Sequence, residues 1–309
     1  MKLAFIYAGQ GSQKVGMGKD FYDTYPLVKS TYDAVDPENK WKELSFYGSL
    51  EELSDTQNTQ PCMVAFAIAV TKLLHESGID PRLVAGLSLG EYSALYCAGA
   101  LEEKTAVDLV AHRGKFMAES IEGLDTKMSA ILGCDRDVIF DCCKVASAHG
   151  IVEVANLNCP GQTVIGGERF AVEAAEALLK EKGARRCMEL NVSGPFHTSL
   201  MEKASELLAQ QLDKTNITPM KIPVIFNTTA QPLAENQSIK EMLTMQVKQS
   251  VLFEDTIKYF SQQGIDTIIE IGPGKVLSTF VKKTDSSIKC YQIEDVPTFE
   301  QVVSKLKGE

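Results

Sequence analysis

Ser88 sits in the stretch Val84-Ala85-Gly86-Leu87-Ser88-Leu89-Gly90-Glu91-Tyr92, where an apolar run breaks at two glycines flanking a hydroxyl and helix-forming residues follow. The pattern predicts strand, sharp turn and helix, with the Ser88 hydroxyl lifted above a sheet edge because the reversal is too tight for side chains at the glycines. The helix beginning there would aim unpaired backbone N–H groups at the same point and stabilise negative charge on a substrate oxygen. That is the chemistry of a serine nucleophile. The pentapeptide alone also suits any strand-to-helix turn, so the reading depends on partners elsewhere in the chain.

Of the four histidines, only His197 lies in a loop with two conformational breakers, Val192-Ser193-Gly194-Pro195-Phe196-His197-Thr198, ahead of a helix expected near Thr198. The loop suits a proton acceptor at a crevice and a satisfied structural histidine alike. His75 and His149 are expected at helix ends. Arg113 falls on an amphipathic helix predicted over Glu102–Ile121, where an arginine is ordinarily solvated or salt-bridged. Gly9-Gln10-Gly11-Ser12-Gln13, after a buried first strand Lys2–Ala8, is a plain turn or the donor of a backbone N–H to an oxyanion. It is not a dinucleotide fingerprint, because Lys14 stands where the third glycine is needed and Gly16 and Gly18 come too late. Gly272-Pro273-Gly274-Lys275 is not a phosphate loop, since its first glycine is too close to the lysine, and it reads as a turn at the crevice floor.

Elements that could position these residues follow from apolar periodicity. Asp20–Glu52 mixes short helical patterns with loops at Pro26 and Pro37, and Gln60-Pro61 opens a buried helix, Cys62–His75, that ends at Gly78. From Lys127 to Val192 the order is strand Met128–Gly133, helix Asp135–Ala148, strands Val152–Asn158 and Thr163–Gly167, helix Ala171–Gly183 and strand Arg185–Val192. This β-α-β-β-α-β succession is that of a ferredoxin-like unit inserted into a larger body. A strand Val224–Thr228, helices Glu241–Lys248 and Phe253–Gln263, and a strand Thr267–Ile271 complete the α/β part. The expected architecture is α/β: a larger α/β-hydrolase-like domain (1–125 and 196–309) with a mostly parallel sheet, and an inserted ferredoxin-like domain (126–195).

The bulk properties exclude other classes. The chain has 309 residues, 44% hydrophobic and 23% charged, and a formal net charge of −10, which argues against nucleic acid or an anionic membrane as the main partner. No window approaches a membrane span and the N-terminus is too short an apolar run for a signal peptide, so the expected location is the cytoplasm. The eight cysteines are scattered without Cys-x-x-Cys or zinc spacing and read as reduced, mostly buried small apolar residues.

Taken in order, Gly9–Gln13, Gly86–Tyr92, Arg113, Asn158–Gln162, Gly194–His197, Gln246 and Glu270–Lys275 give a chain that resembles the malonyl-CoA:acyl carrier protein transacylases of bacterial type II fatty acid synthesis from Ala4 to the C-terminal helix. Tyr7-Ala8 replaces that family's usual Phe-Pro, and Leu87 replaces its usual histidine. Neither change removes a group the chemistry needs. The resemblance implies Ser88 as nucleophile and His197 as base, with the backbone N–H groups of Gln10 and Leu89 as oxyanion hole. It further implies Arg113 on the malonyl carboxylate, and Gln246, Asn158 and Phe196 in support. His197 would be oriented by a backbone carbonyl near Gln246, so no catalytic aspartate is expected. Phe196 implies a poor methylmalonyl donor. The implied partners are malonyl-CoA and a carrier protein bearing a phosphopantetheine arm, with no metal or cofactor, no membrane and no nucleic acid, and the chain is expected to act as a monomer. Carrier proteins are acidic, so docking would need a local basic patch, with Lys182, Arg185 and Arg186 or Lys275, Lys282 and Lys283 as candidates. Two rivals share part of the pattern: an α/β-hydrolase esterase or thioesterase, which leaves Arg113 without a role, and a docking module that keeps the fold without turnover.

Overall fold

A computed structural model describes residues 1–308. Its strands are β1 (Leu3–Tyr7), β2 (Leu83–Gly86), β3 (Thr126–Leu132), β4 (Val152–Cys159), β5 (Gln162–Glu168), β6 (Arg186–Glu189), β7 (Val224–Ile225), β8 (Thr267–Ile271) and β9 (Lys289–Ile293). Five of them form one parallel sheet in the order β7-β2-β1-β8-β9. β1, β2 and β8 are buried along their whole length, as near-continuous apolar runs in a helix-covered parallel sheet must be. One cluster of buried side chains covers a face of this sheet through Phe5, Tyr7, Val84 and Ile269. A second covers the opposite face through Ala4, Ile6, Ala85 and Ile268.

The other four strands form an antiparallel sheet, β4-β5-β3-β6, crossed by the helices Arg136–Ala146 and Arg169–Glu181. That is the ferredoxin-like order, with its own core of Ile131, Ile139, Val154, Ile165, Val172 and Leu179. The Asn158–Gln162 turn is the hairpin between β4 and β5, with Gly161 at φ 72°. β4 also joins the larger body through its main chain. Leu157 N–H donates to Val251 O at 2.8 Å, and Val251 N–H donates to Ala155 O at 2.9 Å.

Several elements differ from expectation at their ends. The long helix runs Thr56–Glu76 and carries Pro61 in its second turn rather than at its start. Asp55 caps it, its side chain accepting the Gln57 N–H, and that cap offsets part of the hydrogen bond lost at the proline. β6 stops at Glu189, beyond which Leu190, Asn191 and Val192 line the site cavity, and β7 stops at Ile225, each strand shorter than the apolar run containing it. A short 3-10 turn, Ser199–Met201, precedes the helix Glu202–Asp213.

Candidate active site

The loops that follow β1, β2, β7 and β8 gather at the C-terminal edge of the parallel sheet, where open α/β folds bind ligands. Ser88 sits after β2 with φ 52°, a left-handed conformation that costs a non-glycine residue about 1–3 kcal/mol and persists only where the surroundings impose it. The two neighbouring glycines impose it by close approach. A Cβ on Gly86 would lie 2.0 Å from the Gly90 carbonyl carbon, and one on Gly90 would lie 2.1 Å from Tyr7 O. The turn therefore packs directly onto β1, and Ser88 is lifted clear.

His197, only 4% exposed, places Nε2 2.7 Å from Ser88 Oγ. Its Nδ1 lies 2.7 Å from the backbone oxygen of Gln246, which assigns the proton to Nδ1 and leaves Nε2 free to accept the Ser88 proton. Burial, and after it the Arg113 charge, push the imidazole down to about 4. A base held neutral in this way is poised to accept a proton near neutral pH. The other histidines lie elsewhere: His75 beside Asp80, His112 on Asp108 O, His149 against Phe170.

Arg113 is 1% exposed. Its Nη1 donates to Gln60 Oε1 at 2.9 Å, and its Nη2 donates to Ser88 Oγ and Gln246 Oε1, both at 3.1 Å. Its Nε has no partner, and no carboxylate pairs with it among the described residues. Its guanidinium carbon lies 5.4 Å from the Tyr92 ring centroid. A buried cation surrounded by neutral groups is costly unless an anion arrives to pair with it. Gln246 completes the cluster, its Nε2 donating to Ser88 O at 2.9 Å.

These groups open on a cavity of about 360 Å³, lined by Gly9–Ser12, Ser88, Arg113, Asn158, Phe196, His197 and the apolar side chains Met117, Met128, Val164 and Leu190. Asn158 is buried with Oδ1 unpartnered, and Phe196 is buried against the Gly194 turn. The N–H groups of Gln10 and Leu89 donate to no group among the described residues, so both are free to receive an oxyanion. The N–H of Ser88 is already taken, at 2.7 Å, by Asn227 Oδ1. Glu270 accepts the N–H groups of Leu277 and Ser278 at 3.0 and 2.7 Å and so caps the helix Val276–Thr284 at the cavity floor.

Ser88, His197, Arg113, Gln246, Asn158, Phe196, Gln10 and Leu89 thus converge on one crevice. Three participants carried no sequence motif: Gln60, Asn227 and Thr56, which accepts from Gln10 Nε2 at 2.9 Å and lies 2.6 Å from Ser193 Oγ. For Gln60 the only available signal was a polar residue directly ahead of the strongly apolar segment Cys62–His75. For Asn227 it was a polar residue ending a predicted strand. Chemically the arrangement offers a serine hydroxyl, a neutral imidazole, two unengaged backbone N–H groups and a buried cation, with a backbone carbonyl and, among the described residues, no carboxylate on the far nitrogen of the imidazole.

Residues 4–307 match the acyl transferase domain family. The chain is 45% identical over 311 residues to the malonyl CoA-acyl carrier protein transacylase of Bacillus subtilis, covering 100% of this chain and 98% of that protein. It is 38% identical over 306 residues to the enzyme of that name from Haemophilus influenzae, covering 97% and 98%. The crystal structure of the malonyl CoA-acyl carrier protein transacylase from Clostridium perfringens superposes with a TM-score of 0.96 at 40% identity, covering 100% of this chain and 98% of that one. The chain belongs to the acyl transferase family and, within it, to the malonyl CoA-acyl carrier protein transacylases.

Proposed function

We propose that this enzyme moves a malonyl group from malonyl-CoA to the phosphopantetheine thiol of an acyl carrier protein through a malonyl-Ser88 intermediate. Ser88 Oγ attacks the thioester carbon while its proton passes to His197 Nε2, and the oxyanion is received by the N–H groups of Leu89 and Gln10. Collapse of the tetrahedral adduct expels coenzyme A, which takes the proton from the imidazolium and leaves as the thiol. The carrier thiol then gives its proton to His197, attacks the acyl-serine and releases Ser88, which recovers the proton. No cofactor or metal enters either half-reaction.

The observation that carries this reading is the buried Arg113, unpaired with any carboxylate among the described residues and 3.1 Å from the nucleophile. A free carboxylate on the acyl group supplies the missing anion, and a planar guanidinium binds it in two-pronged fashion as an ammonium would not. Phe196 beside His197 supports exclusion of a branched methylmalonyl group. We take residues 126–195 as the inserted unit closing one side of the crevice, and 1–125 with 196–309 as the body that carries the nucleophile. Lys275, Lys282 and Lys283 are exposed and unpaired among the described residues, beside the cavity-lining Val276 and Leu277, which supports this cluster as the carrier-protein contact ahead of Lys182, Arg185 and Arg186. We take the enzyme to act as a monomer in the cytoplasm; its net charge of −10 supports avoidance of nucleic acid and anionic membranes, and no described helix is long and apolar enough to cross a bilayer. The test is the intact mass after mixing with malonyl-CoA. The native chain gains one malonyl group, Ser88→Ala gains none, and added carrier protein discharges the label. A native chain that stays unmodified overturns the reading.

A further inference from the structure

Asn227 does not line the cavity, yet it is bound more completely to the nucleophile turn than any residue that does. Its Oδ1 accepts the Ser88 N–H and its Nδ2 donates to Gly86 O, both at 2.7 Å. Its own N–H donates to Glu91 Oε2 at 2.6 Å, and its carbonyl accepts the Leu252 N–H at 2.8 Å. It is 1% exposed. One carboxamide therefore bridges two backbone groups two residues apart in the turn, while its own backbone is tied to the first turn of the following helix and to the residue before the Phe253–Gln262 helix.

We propose that Asn227 is the positioning residue that holds the nucleophile turn in its reactive geometry. The chemistry of the clamp is specific. The turn offers one donor, Ser88 N–H, and one acceptor, Gly86 O, and only a side-chain amide of this length answers both. Aspartate would place two acceptors and a buried charge there, glutamine is one methylene too long, and alanine leaves both backbone groups unsatisfied. Two results follow from occupying the Ser88 N–H. The left-handed backbone at Ser88 is held by a side chain that does not line the cavity, so Oγ stays aimed at His197 Nε2. The oxyanion is also left to Leu89 and Gln10, because the serine's own amide is taken.

The proposal rests on the malonyl-transfer reading and deepens it, and its test separates the two. Asn227→Ala, Asn227→Asp and Asn227→Ser are compared with the native enzyme in malonyl transfer, in acetyl transfer and in phosphonylation of Ser88 by a neutral fluorophosphonate, which releases fluoride and needs no substrate carboxylate. Misplacing a reacting atom by about 1 Å costs roughly a hundredfold, so kcat for both donors and the labelling rate should fall by about that factor. KM for malonyl-CoA should stay within about threefold, since substrate binding is untouched. A merely structural role would not give equal loss for both donors at constant KM. Ile139→Val, in the separate core of the inserted unit, controls for stability: at a matched fall in Tm it should keep native kcat. Asn227 variants that fold and label at the native rate, that lose KM rather than kcat, or that all fail to fold even in the cold, overturn the proposal while native malonylation of Ser88 still stands. Failure of the native protein to be malonylated overturns the reading beneath it.

Discussion

Arg113 is the residue we propose to set the selectivity of the site, because its charge is buried and no carboxylate pairs with it among the described residues. Arg113→Ala should lower kcat/KM for malonyl transfer by two or more orders of magnitude, in line with the roughly 2–5 kcal/mol cost of breaking a buried charged pair. Acetyl transfer should be retained or rise, and equal losses for the two donors would defeat the assignment. Burial, and after it the same charge, depress the basicity of His197. Because that imidazole must be neutral to act, acylation of Ser88 by an acetyl donor should be flat above, and fall as pH drops through, about 4. In Arg113→Gln the acid limb should move up towards the ordinary histidine range, and an unmoved limb would mean the charge is not felt. Glu91 offers a third test. Burial pushes its carboxyl up to about 8, so the folded protein holds a proton that the unfolded chain gives up from about pH 4.5. Stability from this group is complete below the unfolded value and is lost as pH rises through 8. Glu91→Gln keeps an acceptor for the Asn227 N–H without titrating, so its Tm relative to native should climb between pH 5 and pH 9. Ser88, His197 and Arg113 were legible because the glycines, the Gly-Pro loop and the family pattern mark them. Asn227 was not, since its role comes from lying beside a turn 139 residues away.

The nucleophile turn shows how much of an element's shape is set by what it rests on. The strand, turn and helix around Ser88 could be read from apolar run, glycine and helix former, and the glycines do exclude side chains. What the spacing did not reveal is that Gly90 is pressed against the backbone of β1 at Tyr7, while the left-handed φ falls on Ser88 itself. Gly90→Ala should therefore destabilise the fold by about 1–3 kcal/mol through overpacking, seen as a lower Tm, and slow acylation as the turn is pushed off the strand. Thermal melts with a single-turnover assay check both, and an alanine variant with native values for each would show that β1 can yield. Pro61 misled the reading of the long helix because a proline is expected near a start, whereas the Asp55 cap lies six residues earlier. The amphipathic helices of the inserted unit were legible because each buries one face on a single sheet.

At the scale of the whole molecule, the β-α-β-β-α-β succession was enough to separate two units, but nothing in it showed how they are joined. The joint is made partly by backbone groups of Ala155, Leu157 and Val251, which carry no residue-type signal, and partly by side chains brought together only by the fold, Arg136 Nη1 donating to Asp255 Oδ2 at 2.9 Å and Ser199 Oγ to Glu153 Oε1 at 2.7 Å. The surface adds a further test: Lys282→Glu with Lys283→Glu should raise KM for the carrier protein several-fold and weaken its salt dependence while leaving malonyl-CoA acylation unchanged, and an unaltered carrier KM clears this cluster. The joint bears on the chemistry as well. Gln246 holds the imidazole through its carbonyl, His197 N–H reaches Val247 O at 3.2 Å, and Val251 a few residues on is paired with β4. One short strip of polypeptide thus both seats the imidazole and ties the smaller unit to the body. A compound wedged into that seam would tilt the imidazole away from its hydroxyl and silence turnover without competing for the substrate's place.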